Sequence, residues 1–289
     1  MRCCSPMKIP KQPAYFCALS AIALWATLAT LGLALKHIPA FLLTGIALLI
    51  GSLPALPFVF KNPGQWKLPL STLALGVYGL FGFHFLLFMA LRHAPAVEVN
   101  LVNYLWPLLM VVLAPLLLPG LQLSALHLTA ALLGFAGAAI AILGAGGETN
   151  GGWNWGYLAA LASALIWSTY SLMTRRVRAF PTAAIGLFGL VSGLLSLLCH
   201  FLLEPAADLS ARDWLLLTVM GLGPLGAAFY LWDKALKIGD ARQIGVLAYL
   251  TPLGSTVLLM LSTGRTLSWS IPLAAAMIIG AAVLGARAK

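Results

Sequence analysis

The sequence predicts an all-α membrane protein: ten transmembrane helices arranged as two five-helix repeats of inverted topology. Three observations carry this reading. Hydrophobic residues make up 61% of the chain and charged residues only 8%, where soluble domains carry about a quarter charged; the mean hydropathy of +0.98 agrees. The 289 residues divide into apolar runs near the ~20 residues that cross a bilayer, joined by short connections. Finally, the chain matches itself at an offset near 145, so that the fourth span has a twin in the ninth.

Taken in order, the first apolar run extends from Ala14 to Leu35, 22 residues. A cleavable leader has an apolar core of only about 7–15 residues, so this run reads as a true span. The other spans are placed at about 37–60, 68–91, 96–118, 126–146, 153–176, 181–204, 211–236, 239–262 and 268–286. Pro39, Pro63, Pro95 and Pro181 stand at span boundaries, where a missing N–H costs least. With the N-terminus in the cytoplasm, 13 of the 17 basic residues fall inside, leaving Lys36, Arg92, Arg212 and Arg265 outside. The positive-inside rule therefore puts both termini in the cytoplasm. The same rule accounts for the net charge of +10 without nucleic acid. Trp66, Trp153, Trp155, Trp214 and Trp269 fall at span beginnings and read as an interfacial aromatic belt. The four cysteines show no metal spacing; Cys3 and Cys4 beside Arg2 suit acylation, although a plain reduced pair is the first expectation.

The stretch from Glu98 to Pro107, Glu-Val-Asn-Leu-Val-Asn-Tyr-Leu-Trp-Pro, puts polar groups and a helix breaker inside the fourth span. Pro107 cannot donate to the carbonyl four residues back, that of Asn103. Such breaks persist in membranes where the freed groups face other helices or a wet cavity. Asn103, Tyr104, Trp106 and Pro107 are thus candidate walls of a substrate chamber, the alternative being a kinked packing helix. Trp25, Trp106 and Trp167 lie mid-span, too deep for a belt; they line a chamber or fill gaps between glycine-rich helices.

The self-match is extensive. Ala90-Leu91, Tyr104-Leu105 and Pro107 pair with Ala235-Leu236, Tyr249-Leu250 and Pro252; Gly79 and Gly82 pair with Gly223 and Gly226; Trp25 pairs with Trp167. The halves are 1–147 and 148–289, split at the Gly-rich segment from Gly144 to Gly152. Five spans per half force opposite insertion of the second half. Inverted repeats place a substrate site at their shared interface near the midplane and support alternating access.

The paired Trp25 and Trp167, the repeated Ala-Leu…Tyr-Leu-x-Pro pattern and the ten spans resemble the drug/metabolite transporter superfamily, EamA type. The run Val102-Asn103-Tyr104-Leu105-Trp106-Pro107 with Ile166-Trp167-Ser168 is similar to that of YddG-type aromatic amino acid exporters. The superfamily likeness covers the whole chain, the narrower one chiefly a single segment. It implies a basket-like exporter of the bacterial inner membrane, moving aromatic amino acids and related amphipathic metabolites outward. Matched residue by residue, the chamber would be lined by Trp25, Tyr104, Trp106, Pro107, Trp167, Tyr249 and Pro252. Thr251 stands where Trp106 stands in the first half, which implies one aromatic wall and one more polar.

Stacking holds a flat solute at about 0.5–1.5 kcal/mol per ring pair, a modest grip that permits release. Carbonyls freed at Asn103 and Ala248 are expected to accept from an α-ammonium. Tyr78 and His84 in the third span join the candidate substrate-binding residues. His84 and Glu98 are candidate proton or head-group sites, because ionisable residues within spans are costly; the plainer readings are a packed neutral histidine and a carboxylate at a helix N-terminus. Asp233 and Lys237, four apart, read as a structural pair. Few titratable groups favour facilitated export. No cofactor is expected, a monomer suffices, and the partners are a small-molecule substrate and the lipid bilayer. No metalloprotease, nucleophile-elbow or paired-carboxylate motif suggests an enzyme. Carriage of other metabolites or hydrophobic cations, proton-coupled drug export, and a channel or scaffold remain as alternatives.

Overall fold

A computed structural model describes residues 11–144, 154–264 and 269–288. The predictions for Cys3, Cys4, Trp153 and Arg265, and the boundary between the halves at 147, lie outside these residues. Among them are ten helices long and apolar enough to span a membrane: α1 Gln12–Ala34, α2 Ala40–Lys61, α3 Leu70–His93, α4 Ala96–Leu117, α5 Ala125–Gly144, α6 Gly156–Met173, α7 Ala184–Leu203, α8 Ala211–Ile238, α9 Ala241–Thr263 and α10 Ser270–Arg287. Each lies within a few residues of its predicted place. Large apolar side chains such as Phe201 and Leu116, 78% and 74% exposed, face outward where lipid is the solvent, as a multi-pass membrane protein requires.

Several helices are interrupted, and the interruptions repeat between the halves. Pro107 and Pro252 cannot continue the hydrogen-bond ladder, and the chain answers with turns at 104–105 in α4 and 248–249 in α9. At the second turn the expectation of a free carbonyl is corrected: the Ala248 oxygen accepts the Thr251 N–H at 3.0 Å. The break tightens locally to i→i+3 bonding, which satisfies the orphaned acceptor. Helix α3 carries a π-helical turn at Tyr78–Gly82 and α8 one at Gly223–Ala227. These turns occupy equivalent places in the two repeats; the glycine pairs noted in the sequence mark them.

The helices pack mainly across the repeat boundary. Helix α1 lies against α8 and α9, and its counterpart α6 lies against α3 and α4; α2 packs on α7, and α5 on α10. Each half therefore completes the core of the other. Close approach of α2 and α8 requires glycine: a Cβ on Gly51 would lie 2.6 Å from the Leu225 carbonyl oxygen and 2.8 Å from that of Gly221.

At one end of the bundle Glu204 gathers three helices. Its side chain is 2% exposed, accepts the Phe41 and Leu42 N–H groups at the start of α2, and pairs with Arg92 of α3 at 2.7 Å and His200 of α7 at 3.1 Å. A carboxylate among the orphan donors of a helix N-terminus is favoured by both hydrogen bonding and the helix dipole. Glu204→Gln is expected to cost about 3 kcal/mol, because it strands Arg92 and removes the charge from the cap. Thermal unfolding in detergent should show a clear drop in midpoint; an unchanged midpoint would refute the assignment.

At the opposite end Arg242 pairs with Asp240 at 2.7 Å and donates to the Gln122 carbonyl at 2.5 Å, tying α9 to the α4–α5 connection. Burial alone would raise the Asp240 carboxyl; hydrogen bonds from the Arg242 side chain and backbone, with the guanidinium charge, outweigh it and hold the group below its ordinary value. Tyr15 of α1 donates to Gln243 of α9 at this end.

Candidate substrate site

Four indoles meet where the two halves cross, and each comes from a different helix. Trp25 of α1 and Trp167 of α6 stand edge to face with centroids 5.7 Å apart. Trp232 of α8 lies 5.1 Å from Trp25 and 5.6 Å from Trp106 of α4, and Trp106 lies 6.3 Å from Trp167. Phe229 and Phe83 join at 5.6 and 5.4 Å from Trp167, and Tyr170 at 5.3 Å. These are the separations at which aromatic quadrupoles attract. All four indoles are buried, Trp25 being the most exposed at 7%.

Local chemistry positions the rings. The Trp25 Nε1–H donates to the Pro224 carbonyl at 3.0 Å, and that carbonyl belongs to the π turn of α8. The extra residue of a π turn redirects backbone carbonyls away from the helical ladder, which suits them to outside donors. The Trp232 Nε1–H donates to the Ser171 hydroxyl at 3.2 Å. The partner π turn sits directly before Phe83 and His84 on α3. The centre of the cluster is set by symmetry as well: Trp25 and Trp167 are repeat mates with centroids 5.7 Å apart. Residues that touch their own mates lie close to the pseudo-twofold axis between the halves.

The predicted residues thus divide. Trp25, Trp106 and Trp167 come together, with His84 at the edge of the cluster, its Nδ1 2.6 Å from the Leu80 carbonyl oxygen. Asn103 instead donates to the Ser163 hydroxyl at 2.6 Å and clips α4 to α6. Tyr78 is 41% exposed and shares a hydrogen bond with Thr169, hydroxyls 2.9 Å apart. Tyr104 is half-buried at the α4 turn, and Pro107 is buried, its carbonyl against Gly245 of α9. Tyr249 is fully buried in a separate group with Ala138 and Ile278, 6.5 Å from Phe135; Pro252 is buried beyond the α9 turn. Glu98 receives the Tyr157 hydroxyl at the start of α4. The sequence reading missed Phe83, Tyr170, Phe229 and Trp232. Trp232 lies only about one helical turn from the predicted end of its span, where sequence alone does not separate a belt residue from a buried one.

A cavity of about 400 Å3 lies at the end of the bundle that carries Arg242, between Leu118, Pro119, Leu121, Arg175 and Arg176. It is lined by loops and not by the rings, which make contact with each other. The cluster is therefore a closed aromatic seam, and a solute entering it would take the place of ring–ring contacts. The arrangement can hold planar apolar groups.

Comparison with known proteins agrees with this architecture. The EamA-like transporter family matches residues 12–143 and again 154–286, one match per repeat. The aromatic amino acid exporter YddG of Ancylobacter novellus is 40% identical, over 95% of this chain and 97% of its own. The proteins of the same name from Salmonella typhimurium and Escherichia coli are 29% and 27% identical, over 92% and 95% of this chain and 94% and 97% of their own. A solved crystal structure superposes with a TM-score of 0.87 at 38% identity, covering 94% of this chain and 96% of its own. On the doubled family match and the architecture together, the chain belongs to the EamA-like transporter family, a family of membrane transporters and not of enzymes.

Proposed function

We propose that this protein exports aromatic amino acids and related amphipathic metabolites from the cytoplasm across a bacterial inner membrane, as a monomer working by alternating access. Its termini are cytoplasmic in this reading, so that the end bearing Arg175, Arg176 and Arg242 faces inward, as the positive-inside rule requires. The observation that carries the proposal is the meeting of Trp25, Trp106, Trp167, Trp232 and Phe229 at the crossing of two inverted repeats. The similarity to relatives named aromatic amino acid exporters supports the same substrate class.

The closed seam explains why such a site grips weakly. A phenyl or indole solute gains about 0.5–1.5 kcal/mol per ring contact and gives up ring–ring contacts of equal kind. Net affinity is small, so release on the far side is fast. Flux of labelled phenylalanine into liposomes holding the purified chain should exceed that of serine by about tenfold or more, the value of one or two ring contacts. Equal flux for the two would remove the aromatic reading.

Coupling to protons finds little support in the groups around the seam. His84 stands among the rings with one ring nitrogen already engaged by the Leu80 carbonyl, and the buried Asp233 beside Trp232 is paired with Lys237. Glu98, the other candidate, lies at the start of α4 with Tyr157. An imposed pH gradient is therefore expected to leave phenylalanine at its equilibrium distribution in the same liposomes. Accumulation above that distribution would overturn facilitated export and return His84 to the mechanism.

A further inference from the structure

A buried carboxylate beside the ring cluster has one oxygen engaged and the other not. Asp233 of α8 follows Trp232 directly and stands one turn beyond Phe229, with a relative exposure of 3%. Its Oδ2 accepts from Lys237 at 2.6 Å and from the Thr182 hydroxyl at 2.7 Å. Its Oδ1 is buried and has no hydrogen-bond partner. Buried polar atoms are nearly always satisfied, and an open carboxylate oxygen is among the costlier exceptions. Lys237 does not supply the missing bond, because its ammonium is distributed over Asp233 Oδ2, the Phe180 carbonyl at 2.9 Å and the Thr182 hydroxyl at 3.3 Å. The preceding residue, Trp232, lies 5.1 Å from Trp25 and donates its Nε1–H to Ser171 of α6. An unfilled anionic acceptor and the aromatic seam therefore adjoin.

We propose that Asp233 Oδ1 is the docking point for the primary ammonium group of the transported molecule, whose ring enters the seam between Trp232, Trp25 and Trp167. The inference rests on the reading that the substrate is an aromatic amino acid, and it gives that reading a charged partner for the ammonium. The Ala248 carbonyl, expected in that role, is occupied by Thr251. The chemistry is selective: a charge-assisted bond to a desolvated carboxylate rewards an ammonium and penalises a molecule that brings a second carboxylate alone. Asp233 then has two roles on its two oxygens, holding α8 to the α6–α7 connection through Oδ2 and presenting Oδ1 to the substrate.

The test is competition against labelled phenylalanine on the purified full chain, with two probes that divide the head group. Phenethylamine keeps the ammonium and lacks the carboxylate; 3-phenylpropionate keeps the carboxylate and lacks the ammonium. On the wild-type chain phenethylamine should compete about tenfold or more better than 3-phenylpropionate, as one charge-assisted hydrogen bond implies. Asp233→Asn should abolish that preference, and the doubly neutral Asp233→Asn, Lys237→Gln should do the same without leaving a lone ammonium. Asp233→Glu, which keeps the charge, should restore part of it. Equal competition by both probes on the wild type overturns the proposal whether or not any variant folds. A preference that survives in the neutral variants also overturns it, as does equal weakening of both probes, which marks a purely structural residue. Failure of the wild type to bind labelled phenylalanine would instead strike at the aromatic amino acid reading itself.

Discussion

Trp167→Ala is expected to abolish phenylalanine flux, with a loss of about 100-fold or more, while the chain still inserts and elutes as a single species. Trp167 touches Trp25, Phe83, Trp106, Tyr170 and Phe229. At about 0.5–1.5 kcal/mol per ring pair, its removal takes several kcal/mol of aromatic contact from the seam. Some of that loss falls on stability, since deletion of a buried Trp costs about 3–5 kcal/mol. Insertion is governed by the hydropathy of the span and so survives. Trp167→Phe keeps a ring and should retain a measurable part of the flux. Trp106→Ala should behave like Trp167→Ala, because Trp106 bridges Trp167 and Trp232. Trp269→Ala is the control: it is 90% exposed and distant from the seam, and its flux should match wild type. Wild-type flux in Trp167→Ala would remove the seam from the transport path.

Gly51→Val is expected to yield no monodisperse protein. The side chain would meet backbone, with the Leu225 and Gly221 carbonyl oxygens at 2.6 and 2.8 Å and the Gly226 Cα at 3.0 Å from the first added carbon. Backbone cannot swing aside as a side chain does, so α2 must separate from α8 at a cost of about 3 kcal/mol or more. The damage reaches the site, because Leu225 and Gly226 belong to the π turn whose Pro224 carbonyl holds Trp25. Size-exclusion chromatography of the detergent-solubilised chain measures this directly; a wild-type profile would show that α2 and α8 are not held together at this crossing.

Helix Gly51 approaches and ring Trp25 touches are facts of different kinds from the spans themselves. The spans were legible because the bilayer imposes a length and a polarity that each helix satisfies alone. Pro107 and Pro252 were legible for a similar reason: a missing N–H interrupts any helix, whatever surrounds it. The structural role of Asp233 and Lys237 was legible too, since residues four apart on a helix face each other. Asn103 was read as a chamber residue because an amide beside a helix break is conspicuous, but nothing local could show that Ser163 would take its hydrogen bond. Tyr249 was carried along by its match to Tyr104, yet it points into the α5–α10 side of the bundle with Ala138 and Ile278.

The amino-acid sequence by itself determined the number of spans, their breaks, and the inverted relation of the two halves, because hydropathy, proline geometry and an odd number of crossings act within one segment or by counting. Only the tertiary structure decided which rings meet. Trp232 and Phe229 reach Trp25 because α8 of one half packs on α1 of the other, and a contact between helices two hundred residues apart depends on crossing geometry that no single span encodes.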